Sequence, residues 1–117
     1  MYGGTQLAAI GVLHNVIGFA LGAEPLRRMF AAGWIGAAEA SFDQAAIFWF
    51  LWFGWMLMLL GGALRALEAQ GRVPTALLAA TAAMCLGGAI SIPASGFWLG
   101  LIPVATILAR QRRVALA

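Results

Sequence analysis

Twenty consecutive residues, Ala45 to Leu64, read AAIFWFLWFGWMLMLLGGAL and contain no charge, no proline and no strongly polar group. As a helix this stretch is roughly 30 Å long, the thickness of a bilayer's hydrocarbon core. A helix buried in a soluble protein rarely needs that length without a polar face. The stretch reads as a transmembrane helix, and the rest of the chain has to suit the same solvent.

Composition agrees. Of 117 residues, 63% are hydrophobic and only 9% are charged. Soluble domains carry roughly 25% charged residues, so this chain has too few to cover an aqueous surface. The length allows one domain, residues 1–117, of four spans and little else. The net charge of +3 comes from arginines at the ends of apolar runs. That distribution fits topology determinants and not a nucleic-acid face. There is no lysine, which excludes Schiff-base chemistry, and the single Cys85 excludes an intrachain disulfide. Cys85 reads as a small core residue.

The spans are expected at about 5–22, 45–65, 75–92 and 97–110, in an all-α integral membrane bundle of four transmembrane helices. The first lacks a basic flank, and His14 and Asn15 interrupt its apolar run, so it reads as a retained helix and not as a signal peptide. Gly4, Ala8, Gly11, Asn15, Gly18 and Gly22 fall on one helical stripe, with His14 beside it. Small residues let a second backbone approach, so this stripe faces protein, and Leu7, Ile10, Leu13, Ile17 and Leu21 face lipid. Residues 23–44 form a loop with Glu24, Arg27, Arg28, Glu39 and Asp43. Within it, Pro25 suits the first turn of a short interfacial helix anchored by Phe30 and Trp34. Ser41 or Asp43 fits the N-cap of the second span.

In the second span Phe48, Trp52 and Trp55 share a face, which either packs the bundle or walls a cavity. Gly54 and Gly61 mark a helix contact, and Arg65 ends the span. Between Val73 and Ala109 there is no charge at all. This length holds two short spans, broken at Pro93-Ala94-Ser95-Gly96. Ala76, Ala80, Ala83, Gly87 and Ser91 give the third span a small-residue face, and Pro103 is expected to bend the fourth. Arg65, Arg72, Arg110, Arg112 and Arg113 lie on one side, whereas Arg27 and Arg28 lie on the other among three acids. The positive-inside rule puts both termini in the cytoplasm.

His14 is an ionisable group near the middle of a span, on its protein-facing side. Such a group is a functional candidate, as a proton donor and acceptor or as a ligand. The structural alternative is a neutral imidazole bonded to a backbone carbonyl or to a serine such as Ser91. Asn15 shares either role. Expected ligand-binding residues are His14 and Asn15, with Trp49, Trp52 and Trp55 as an aromatic wall and Ser95 and Trp98 at the second outer turn. Glu24, Glu39 and Asp43 read as solvated loop charges that could instead reach the outer mouth of a cavity containing His14. One histidine, one cysteine and scattered methionines make no metal-ligand spacing, so no metal or cofactor is expected. No phosphate-binding glycine loop and no nucleophile triad stands out. The four spans contain no Asp or Glu, which argues against proton-coupled antiport of the small multidrug type.

Gly11, His14 and Gly18, the run Phe48-Trp49-Phe50 through Gly54, and Pro93 with Ser95-Gly96-Phe97-Trp98 together resemble a family of small four-helix bacterial membrane proteins known only as a domain of unknown function. The resemblance implies a four-helix fold in a bacterial cytoplasmic membrane and brings no activity with it. From the residues, two functions follow. The leading one is a non-catalytic protein that binds a lipophilic small molecule or serves as an accessory subunit. Its expected partners are membrane lipids, a membrane protein or a second copy of the chain, and not nucleic acid. The other is an intramembrane isomerase or cyclase in which His14 moves the proton and tryptophans stabilise a cation.

Overall fold

The computed structural model describes residues 1–117 as five α-helices and two short 3-10 turns, with no strand. The helices are α1 (Gly3–Leu21), α2 (Ala23–Ala31), α3 (Phe42–Ala69), α4 (Thr75–Ser91) and α5 (Leu101–Leu116). The 3-10 turns, Ala37–Glu39 and Gly96–Gly100, precede α3 and α5. By length and composition α1 and α3 can each cross a membrane, and α4 is a shorter apolar helix of 17 residues. The molecule measures 58 × 28 × 21 Å.

The organising contact is an antiparallel pair, α1 against α3. Gly4 lies against Gly61 and Arg65, Gly11 against Gly54 and Met58, and Gly22 against Ile47. Both helices place these residues seven apart: Gly4, Gly11 and Gly18 on α1, and Ile47, Gly54, Gly61 and Glu68 on α3. A seven-residue repeat is the signature of a left-handed pair, because it keeps one seam facing its partner as the helices wind. The approach is close enough for backbone to meet backbone. A Cβ on Gly4 would come within 2.5 Å of the Gly61 carbonyl oxygen, and one on Gly61 within 2.7 Å of the Gly4 oxygen. The glycine hydrogens therefore point reciprocally at carbonyls, as Cα–H···O contacts recurrent where helices touch.

On its other side α1 packs on α5 through Gly3, and α4 packs on α5 and on the turn before it. The lateral order is therefore α3, α1, α5, α4. Leu7, Leu64, Val73, Leu78, Val104 and Ile107 form a core at the end that carries the arginines. Leu26, Met29, Ala37, Ile47 and Leu51 form a second core at the opposite end, where α2 lies over α3. Only 24 of 117 residues are buried, while large apolar side chains such as Val16, Leu59, Met84 and Ile90 point outward.

Four sequence expectations change. Leu7 is 1% exposed, not outward, because α5 covers the side of α1 that the glycine stripe leaves open. On α4 the stripe of Ala76, Ala80, Ala83, Gly87 and Ser91 is exposed and Gly87 meets nothing, since α4 turns Leu78, Thr81 and Ala89 inward instead. The last helix begins at Leu101 and continues to Leu116, so Pro103 sits in its first turn, where a missing N–H costs nothing, and does not bend it. Finally, α3 runs four residues past Arg65 and so includes an acid, Glu68.

Candidate functional site

The middle of the α1–α3 seam holds the two polar residues of α1. His14 Nε2 lies 2.9 Å from the Phe50 carbonyl oxygen, so this nitrogen carries the proton and donates it across the seam. The imidazole also stacks on the Phe50 ring at 3.8 Å between centroids and meets Phe53 edge-on at 5.5 Å. Its partner is a carbonyl of α3, not Ser91. Asn15 is 4% exposed, and neither side-chain polar atom has a hydrogen-bond partner. Its Oδ1 occupies the space where a Cβ on Gly54 would stand, so the Gly54 hydrogen points at that oxygen. The seam is filled at this level by the two side chains themselves.

The arginine-bearing end is closed by charge. The Glu68 carboxylate accepts from the Gly3 and Gly4 backbone N–H groups at 3.1 and 2.8 Å, and its side chain is 4% exposed. An acid from α3 thus caps the N-terminus of α1, where unpaired N–H groups and the helix dipole both favour negative charge. The Tyr2 ring lies between two guanidiniums, Arg65 at 3.7 Å and Arg110 at 4.0 Å from its centroid.

The opposite end is different. Gln44, 5% exposed, sends its Nε2 2.9 Å to the Ala37 carbonyl, while its Oε1 accepts from Ser41 and from Arg28. Arg28 also pairs with Asp43, which ties α2 to the start of α3. Ser41 takes the N-cap position of α3, but its Oγ bonds the Asp43 and Gln44 side chains and no backbone N–H. Arg27 bonds Glu24 and holds that carboxyl below its ordinary value. Between α2 and α3 the chain makes a tight loop through Gly33 and Gly36, both at positive φ. Trp34 between them has φ 68°, a conformation costing a non-glycine residue about 1–3 kcal/mol. The loop is held there by Trp34 N–H to Met29 O at 2.9 Å and Ala37 N–H to Trp34 O at 3.0 Å.

This loop stands off from α3 and leaves a cavity of about 310 Å³. Met29, Trp34 and Ile35 line it from the α2 side, Phe48 and Trp49 from α3, and Glu39 from the intervening 3-10 turn. Trp52 stacks behind Phe48 at 5.4 Å.

The expected ligand residues are thus dispersed. Trp49 lines the cavity and Trp52 backs its wall. Trp55 is half exposed on α3 and packs no bundle interior. His14 and Asn15 lie in the filled seam. Ser95 caps the turn before α5 by accepting from Phe97 N–H at 3.4 Å, and Trp98 donates to the Pro93 carbonyl at 3.0 Å. Phe97 lies on Gly88, so the whole Pro93-to-Trp98 element folds the connection from α4 to α5. Trp34, Ile35 and Glu39 are the cavity residues that sequence reasoning did not group. Trp34 was expected as an anchor of the short helix, which instead ends at Ala31 and leaves Trp34 in the turn between Gly33 and Gly36.

Fold and site together define a small all-α protein with two membrane-length helices, a closed glycine seam and one aromatic cavity beside it. The chain belongs to a family described as a family of unknown function (DUF6463), whose model matches residues 1–114. No curated protein and no solved structure matches it.

Proposed function

We propose that this is an integral membrane protein of four spans that binds a lipophilic small molecule without transforming it, or presents that site as an accessory subunit. α1, α3 and α4 are three of the crossings, and the turn at Gly96 with α5 up to Ala109 is the fourth. The outward apolar side chains support this, because soluble monomers rarely expose large contiguous apolar patches. Arginine bias puts both termini in the cytoplasm of a bacterial cell, and α2 with its exposed Phe30 in the outer interface. The observation that carries the binding role is the cavity lined by Trp34, Phe48 and Trp49, whose 310 Å³ falls in the usual range of small-molecule sites. The isomerase or cyclase reading has less support, because His14, bonded to the Phe50 carbonyl and stacked on that ring, does not line the cavity.

Topology is tested by single-cysteine labelling in a Cys85→Ser background. Glu39→Cys should react with an impermeant maleimide added outside intact cells, and Arg113→Cys only after lysis. The reverse pattern overturns the orientation. Native mass spectrometry of protein released gently from its membrane should find a discrete adduct below about a kilodalton. A stable complex with a second polypeptide selects the accessory role.

A further inference from the structure

The four acids of this chain are not equivalent. Glu24 is bonded to Arg27, Asp43 to Arg28, and Glu68 to the N-terminus of α1. Glu39 has no ion pair and no side-chain hydrogen bond, and it is the acid that lines the cavity. No arginine lines that cavity. Its remaining walls include Trp34, Phe48 and Trp49, and rings of this kind attract a cation over their faces. Carboxylate and aromatic rings thus select the same charge.

From this we infer that the outer cavity takes the ammonium head of a lipophilic cation, with Glu39 as its counter-charge and Trp34 and Trp49 as its walls. The inference rests on the binding reading above and names its ligand class. An apolar body continues over Met29 and Ile35 toward the lipid. The same chemistry is met in a free amphiphilic amine and in the headgroup of an amine-bearing lipid. The cost of holding Trp34 at positive φ is consistent with a ring that must stand at this wall.

The test uses full-length protein in phosphatidylglycerol nanodiscs, with ¹⁵N-labelled tryptophan indoles assigned by single Trp→Phe variants. The probes are benzyltrimethylammonium and its neutral carbon isostere, neopentylbenzene. The cation should saturate shifts at Trp34 and Trp49, not at Trp98, and bind roughly tenfold tighter than the isostere. Glu39→Gln, in an exposed loop position without partners, should erase that preference and leave the isostere's affinity unchanged. Equal affinities, or no effect of Glu39→Gln, overturn the cation inference while the cavity reading stands. If neither probe produces saturable shifts at Trp34 and Trp49, the cavity reading fails as well. Repeating the titrations of parent and Glu39→Gln with phosphatidylethanolamine separates the sources, the variant correcting for the lost bilayer charge: a smaller parent-to-variant affinity ratio identifies the lipid's own ammonium as occupant, and an unchanged ratio a free cation.

Discussion

The same helix, α3, takes part in two regions of opposite character. Along its middle, glycines draw it against α1 until carbonyls meet Cα hydrogens, and His14 and Asn15 fill what space is left. At its outer end Phe48 and Trp49 meet a strained loop that stands away, and about 310 Å³ stays open. The residue types that look most like chemistry in the sequence lie where nothing else fits. The room lies under a segment that looks like a connecting loop. Residue size along a helix, more than polarity, decided which region became a joint and which stayed open.

The largest effect should come from breaking the joint. Gly54→Leu puts a side chain where Asn15 and His14 stand, and should abolish the compact fold, read as loss of a monodisperse peak in detergent. Gly62→Leu, on the same helix but facing open space, should fold as the parent does. If both variants fold, the seam is not as described.

Next is Glu68→Ala, which strips two charge-assisted hydrogen bonds from the start of α1 and leaves those N–H groups without their partner. Destabilisation of about 3 kcal/mol is expected, seen as a lowered Tm. His14→Ala should cost less, about 1–2 kcal/mol, for one hydrogen bond and one stacked ring. Its decisive readout is separate: ligand affinity at the outer cavity should not change. A His14→Ala variant that folds but loses binding would make the seam and the outer cavity one functional region.

The smallest effect belongs to Glu24→Gln. Arg27 lowers the Glu24 pKa, so the pair's contribution is present above the ordinary carboxylate range and lost as pH falls through the lowered value. Both groups are exposed to solvent, where such pairs contribute little. Melting profiles of variant and parent should therefore coincide at neutral pH.

Much of the joint was legible because spacing encodes it. The stripe from Gly4 to Gly22, and Gly54 with Gly61 as a contact face, can be read from helical period and residue size alone, whereas their facing each other is seen only in the fold. Leu7 could not, since placing it needs to know that α5 returns to cover α1. The α4 stripe misled for a related reason: small residues permit close contact but do not choose a partner, and Phe97 on Gly88 fixed the orientation of α4 instead. The cavity was hidden because it depends on a backbone angle. A tryptophan at φ 68° has no sequence signature, and Glu39 acquires meaning only when the other three acids are seen to be paired.

The most direct test of the separation between joint and site is native mass spectrometry of three proteins side by side, released from the same membrane: parent, Trp49→Ala and His14→Ala. A discrete adduct is expected on the parent and equally on His14→Ala, and its loss is expected from Trp49→Ala. An adduct lost from His14→Ala and kept by Trp49→Ala would contradict it, and would return the site to the middle of the seam.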